Sequence, residues 1–259
     1  MKQNQLSKVG RYSFIAEPFH CDFTHKLFIG HLGNNMLNAA DYHSTERGYG
    51  MNYLNTMHKT WVLSRLAIEI EEMPKENEKF DVTTWVDGVK RYFTSRNFAV
   101  LSQTDGKVMG YGRSIWAMID TDTRQPTDIF SIRGGLINDY VDNETPCPIA
   151  APTRVGISLE AKQERSVGMY YSDIDVNGHV NSVKYIEHAL NLFDASWFKS
   201  HRIQRLEVAY VAESHFGDYL LFYREQCGDD EFAIRIDKKT EKEDTSIEVC
   251  RCKVKFVKV

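Results

Sequence analysis

The chain has 259 residues, of which 42% are hydrophobic and 26% charged, enough apolar material for two small cores or one large one and too much for a disordered protein. A net charge of −4 gives a nucleic-acid partner no electrostatic support, and no apolar run approaches the roughly 20 residues that span a bilayer. Met1 to Gly10 is polar, lacks an apolar core and does not read as a secretory signal. Cys21, Cys147, Cys227, Cys250 and Cys252 contain no CxxC pair, so structural thiols in a reducing cytoplasm are expected.

In chain order, the first periodic segment runs from about Phe28 to Tyr42. Phe28, Leu32, Met36, Ala39 and Ala40 share one side, which predicts a helix. Alternating stretches follow at Trp61 to Ile70, Phe80 to Val86, Arg96 to Ser102 and Val108 to Ile119, and these read as strands. Thr104-Asp105-Gly106-Lys107 is a hairpin signal. Pro146, Pro148 and Pro152 then interrupt regular pairing between Asp142 and Thr153, which marks a domain boundary. A second helical period spans about Val180 to Lys199, with Val180, Val183, Ile186, Leu190, Phe193 and Trp197 spaced by three and four. Strands are predicted at Arg205 to Val211, Asp218 to Arg224, Glu231 to Asp237 and Ser246 to Val257, with a turn at Cys227-Gly228-Asp229-Asp230.

The order strand, helix, several strands thus occurs twice. Faint echoes support a repeat. Phe28-Ile29-Gly30-His31 resembles Tyr185-Ile186-Glu187-His188 at a separation of 157 residues. Arg65-Leu66 resembles Arg205-Leu206 at 140, and Phe98-Ala99-Val100 resembles Phe232-Ala233-Ile234 at 134. A long helix across a curved antiparallel sheet buries both apolar faces, so the expected fold is α+β, a tandem double hotdog. The expected domains are residues 1–145 and 153–259.

Polar chemistry concentrates in Asp175-Val176-Asn177-Gly178-His179-Val180-Asn181. A carboxylate, a carboxamide and an imidazole stand at alternate positions and share a face if the segment is extended. They lead into the second helix, whose N-terminus offers free N–H groups and a partial positive charge to an oxyanion. His179 is the natural general base, since histidine ordinarily titrates near neutral pH. Asn177 could donate to a substrate carbonyl or to an attacking water, and the Gly178 N–H could join an oxyanion site. The bland alternatives are that Asp175 or Asn177 caps the helix and that His179 is an ordinary first-turn histidine.

The run from Asp175 to Ile186 resembles the D-x-N-x-H-V-N-N-x-K-Y pattern of the acyl-acyl carrier protein thioesterases. Trp61-Val62-Leu63-Ser64-Arg65, Thr84-Trp85-Val86 and Ser114-Ile115-Trp116-Ala117-Met118 resemble further segments of that family. The resemblance implies a double hotdog that hydrolyses the thioester joining a fatty acyl chain to acyl carrier protein, with the acyl chain held in the N-terminal hotdog and the chemistry in the C-terminal one. It places Asp175, Asn177 and His179 on the family's catalytic aspartate, asparagine and histidine. A gapless run from His179 reaches Glu213-Ser214, where the plant enzymes have glutamate and cysteine. Glu213 is then expected to polarise or position a water and Asp175 to orient the loop, although the two acids could exchange roles. Ser214 replaces the cysteine and is left at most a minor role, so direct water attack is favoured over an acyl-enzyme. Arg224-Glu225-Gln226-Cys227-Gly228 resembles the plant cysteine motif, but its distance from His179 is wrong, and Cys227 reads as a turn residue.

No metal or cofactor is expected, because His25 and His31 lack helical metal spacing. With the 157-residue echo, Asp175, Asn177 and His179 correspond to Pro18, His20 and Asp22, so one active site per chain is expected. The acidic carrier protein calls for a local basic patch, with Lys90, Arg91 and Arg96 as candidates and a solvated strand face as the alternative. A homodimer is allowed but not demanded. The rival functions are a hotdog acyl-CoA thioesterase or enoyl hydratase, and a non-catalytic acyl-binding module.

Overall fold

The computed structural model describes residues 6–240 and 245–259, so Met1 to Gln5 of the polar N-terminal stretch lie outside the described residues. The chain divides into two compact units, Met1–Ala151 and Pro152–Val259. Among the described residues no helix is long and apolar enough to cross a membrane.

The first unit starts with strand β1 (Gly10–Ile15), followed by helices α1 (Ile29–Glu46) and α2 (Met51–Asn55). Strands β2 (Lys59–Ile70), β3 (Lys79–Val89), β4 (Phe93–Ser102) and β5 (Val108–Asp120) complete it. The sheet order is β1-β3-β4-β5-β2, antiparallel throughout. Ile29, Leu32, Met36, Ala39, Ala40 and His43 form the buried stripe of α1, which packs mainly on β3 and β1. Gly112 on β5 leaves room for Met36, since a Cβ there would stand 3.0 Å from its sulfur. Met36 is fully buried, so truncating it to alanine would cost about 2–5 kcal/mol.

The second unit contains β6 (Lys162–Gly168), α3 (Ser182–Leu190), α4 (Ala195–Ser200) and β7 (His201–Tyr210). It ends with β8 (Tyr219–Gly228), β9 (Glu231–Lys239) and β10 (Ile247–Lys258). Its antiparallel order is β6-β8-β9-β10-β7, the same connectivity as the first unit taken strand for strand. Each unit is a helix laid on a five-stranded antiparallel sheet, so the α+β tandem hotdog is the fold. Strands β1 and β6 escape the sequence pattern because they are edges with exposed, charged or weakly alternating residues, as in Lys162-Gln163-Glu164-Arg165.

The second helix is not the single element its period predicts. It stops at Leu190, and Asn191-Leu192-Phe193 form a turn before Asp194 leads into α4. Two interactions hold the break. The Phe193 ring sits 4.9 Å from those of Phe232 and Phe256. Arg224 lies 4.8 Å over the same ring and donates from Nη1 to the Leu192 carbonyl at 2.8 Å, supplying a partner for an orphaned helix-end acceptor. Cys227 lies at the exposed end of β8, next to the turn into β9.

Candidate active site

The second unit carries every site residue singled out in the sequence. The segment expected to be extended is a tight loop. Ile174 and Val180 pair across it as an isolated antiparallel bridge, and Asp175 N–H donates to the His179 carbonyl at 2.8 Å. The Asp175 carboxylate works inside the loop: its Oδ1 accepts the backbone N–H of Asn177 at 2.8 Å and of His179 at 3.4 Å. Gly178 turns the chain with φ of 80°, a conformation that favours glycine. Its N–H donates to the Asp175 carbonyl at 3.0 Å, so the group expected to serve an oxyanion is already engaged. Neither Asp175 nor Asn177 caps the helix. Asn181 does, accepting the Val183 N–H at 3.0 Å.

His179 and Glu213 meet. Nε2 of the imidazole stands 3.3 Å from Oε2 of the carboxylate, and the two side chains keep 26% and 32% of their exposure, respectively. The Val180 N–H donates to the Ser214 carbonyl at 2.8 Å and ties the loop to the segment that follows β7. Tyr210 on β7 donates to the Ser182 carbonyl at 2.8 Å, fixing the start of α3 against the same strand. Glu213 is held from behind, since Lys238 Nζ donates to its carbonyl at 2.7 Å. Asn177 is exposed at the loop tip, beside Val176. Ser214 is fully buried, next to the Tyr185 phenol, whose pKa burial pushes up.

His215 was not singled out from sequence. Its ring meets that of His179 edge-on at 5.0 Å, and its N–H is anchored to Asp218 Oδ2 at 2.8 Å. Its position two residues after Glu213 was the available signal, because alternate residues of an extended segment share a face. His179, Glu213 and His215 bring one potential ligand atom each within 4.8 Å of one another.

The first unit builds the same loop without the same chemistry. Cys21 and Leu27 pair as Ile174 and Val180 do, and Asp22 N–H donates to the Lys26 carbonyl at 2.8 Å. Asp22 Oδ1 accepts the Thr24 N–H at 2.8 Å, and Leu27 N–H donates to the Pro74 carbonyl at 2.9 Å. Asp22 therefore matches Asp175, Thr24 matches Asn177, Lys26 matches His179, and Met73 matches Glu213. The correspondence with Pro18, His20 and Asp22 is thus corrected by one helical turn. His20 instead stacks on His31 at 4.1 Å and pairs with Glu17 at 2.9 Å.

The basic patch also changes. Arg96 is 5% exposed and donates to Thr84 Oγ1 at 3.1 Å inside the first unit, so it cannot meet a partner. Lys90 and Arg91 are both exposed, with Arg91 paired to Asp128 at 3.1 Å.

Fold and site together define a double-hotdog protein whose second unit brings His179 and Glu213 together at the loop leading into α3. Residues 8–131 match the acyl-ACP thioesterase N-terminal domain and residues 157–256 the acyl-ACP thioesterase C-terminal domain. The chain belongs to the acyl-ACP thioesterase family. It is 49% identical to an acyl-ACP thioesterase from Bacteroides thetaiotaomicron of solved structure, with a TM-score of 0.89 over 96% of this chain and 98% of that one. A 12:0-ACP thioesterase from Umbellularia californica shares the fold, with a TM-score of 0.83 at 19% identity over 99% of this chain and all of that one. Among curated relatives, an acyl-[acyl-carrier-protein] hydrolase of Cuphea viscosissima is 28% identical over 59% of this chain. An oleoyl-acyl carrier protein thioesterase of Arabidopsis thaliana is 24% identical over 79%. The chain spans 38% of the former's length and 59% of the latter's.

Proposed function

We propose that the protein hydrolyses the thioester between a fatty acyl chain and acyl carrier protein, releasing the free acid and the carrier thiol and so ending chain elongation. The observation that carries this reading is the His179–Glu213 pair, 3.3 Å apart at a solvent-reached position, in a chain of this family.

In the proposed reaction a water contacts both Nε2 and Oε2. His179 removes one of its protons as the oxygen attacks the carbonyl carbon, and Glu213 orients the water and balances the imidazolium. Asn177 donates its carboxamide N–H to the carbonyl oxygen as negative charge develops there. The C–S bond then breaks and the imidazolium returns its proton to the departing thiolate. Asp175 acts through the loop, holding the N–H groups of Asn177 and His179. The buried Ser214 takes no covalent part. The first unit is assigned the acyl chain, and the setting is assigned to the cytoplasm, a reading supported by five thiols that form no disulfide.

The test is a product profile. Purified protein is given acyl carrier proteins of varied chain length, the matching acyl-CoAs and an enoyl thioester, while thiol and fatty acid are measured. Faster thiol release from the carrier-bound substrates is the expected result. Preference for acyl-CoA, or loss of enoyl absorbance without thiol, would reassign the site. No turnover of any thioester would leave an acyl-binding module.

A further inference from the structure

We infer that His179, Glu213 and His215 form a binding site for a borderline-soft divalent cation such as Zn2+, and that its occupancy stops hydrolysis. The metal site stands on its own geometry; the inhibition rests on the hydrolase reading given above.

Two imidazoles and one carboxylate are a donor set suited to Zn2+ and its first-row neighbours, and poorly suited to Mg2+ or Ca2+, which want oxygen ligands. Two ligand atoms bound at about 2.0–2.1 Å with a tetrahedral angle between them stand about 3.3 Å apart. His179 Nε2 and Glu213 Oε2 already have that separation. The third donor atom, on His215, lies within 4.8 Å of both, and closing the set needs a movement only of an exposed ring.

The backbone under the site is fixed. His215 is pinned by its N–H to Asp218, and Lys238 holds the Glu213 carbonyl. The Val180–Ser214 bond brings the His179 loop to the segment after β7 that bears the other two residues. Pre-positioned ligands lower the ordering cost of coordination. Three protein ligands leave a fourth position open, unlike the closed four-ligand set of a structural zinc site.

The consequence for turnover follows from which atom the metal takes. A cation bound to His179 Nε2 occupies the lone pair that would accept the proton of water. It also takes the carboxylate oxygen that would orient that water. No cation is needed for the proposed hydrolysis, so binding removes activity.

The test uses the full-length, untagged protein after treatment with a chelator. Calorimetric titration with Zn2+ should show one equivalent bound, and Co2+ should give the visible d–d absorption of a four-coordinate site. Mg2+ should give neither heat nor competition. His215→Asn and Glu213→Gln should each weaken Zn2+ about tenfold or more, with thermal melting used to check that each variant is folded. His215→Gln is the substitute should His215→Asn fail to fold. Absence of binding, or equal affinity in the folded His215 variant, would overturn the site and move the ion to another exposed group such as Cys227. With acyl carrier protein substrates, Zn2+ should suppress turnover and EDTA should restore it. Stoichiometric binding with unchanged turnover would overturn the inhibition. A protein inactive on every thioester would refute the hydrolase reading and leave the binding results to judge the metal site alone.

Discussion

Val180 donates its backbone N–H to the carbonyl of Ser214 at 2.8 Å, and this bond joins the loop that carries His179 to the segment after β7 that carries Glu213. The backbone under the histidine–carboxylate pair is therefore tied one residue away from each side chain, and the two side chains then meet at 3.3 Å.

Removing either partner of that pair should abolish most turnover without unfolding the protein. His179→Ala is expected to lower kcat by roughly a hundredfold or more. Glu213→Gln should do comparable damage, and the double variant should be little worse than the worse single one, because the two groups act as a unit. Steady-state kinetics beside thermal melts give the answer. Near-normal turnover in a folded His179→Ala would remove the imidazole from its role.

Ser214→Ala should be mild. The hydroxyl is fully buried beside Tyr185, and a nucleophile needs access to the carbonyl carbon. Turnover within about fivefold of the parent is expected, since one neutral hydrogen bond is worth about 1 kcal/mol. Complete loss, together with an acyl-enzyme trapped by rapid quenching and mass spectrometry, would overturn direct attack by water.

The paired loops allow a matched comparison. Asp175→Ala removes the acceptor for the Asn177 and His179 N–H groups and should cut kcat by roughly a hundredfold, because misplacement of about 1 Å is that costly. Asp175→Asn keeps an acceptor oxygen and should be clearly milder. Asp22→Ala breaks the same backbone bond in the first unit and should leave kcat within about twofold. A large loss there would mean that the first copy also takes part in the chemistry.

His43 should make the first unit acid-sensitive. It is fully buried, its Nε2–H donates to the Lys8 carbonyl at 2.9 Å, and Tyr49 O–H donates to Nδ1 at 3.3 Å. Burial, helped by the Arg96 and Arg47 cations, pushes its pKa down to about 2 from the ordinary 6.5. Between those values the unfolded chain binds a proton that the folded one refuses, so the stabilisation is present above pH 6.5 and is lost as pH falls. The slope from this group is up to about 1.4 kcal/mol per pH unit. Denaturant midpoints measured from pH 7.5 to 4.5 should fall less steeply in His43→Gln than in the parent. An unchanged slope would show that other groups control the acid limb.

Much of the architecture is legible in the alternation of apolar residues, including eight of the ten strands and the position of α1. Register is the part that periodicity hides. The helix-leading loops align Asp22 with Asp175, 153 residues apart, whereas the sequence echo gave 157. The β4–β9 match pairs Phe98 with Ile234, since Phe98 faces Gly112 and Ile234 faces Cys252; that is 136 residues rather than 134. The first slip is four residues in a helix and the second two in a strand. Each leaves the apolar face where it was, so hydrophobic pattern alone cannot reject it. The break after Leu190 was hidden for a related reason: Phe193 and Trp197 keep the helical spacing while the chain between them leaves the helix. Of the candidates Asp175, Asn177, His179 and Glu213, the structure pairs His179 with Glu213 and places Asp175 and Asn177 in the loop that carries His179. Their division of labour was not, because it is written in backbone hydrogen bonds, and neither Asn181 as the cap nor His215 as a neighbour stands out by composition.

The Asp22 loop keeps the hydrogen-bonded skeleton of the Asp175 loop while a lysine and a methionine stand where the imidazole and carboxylate would be. The molecule thus contains an internal control for the proposed site: the same loop skeleton, once with the imidazole and carboxylate and once without them.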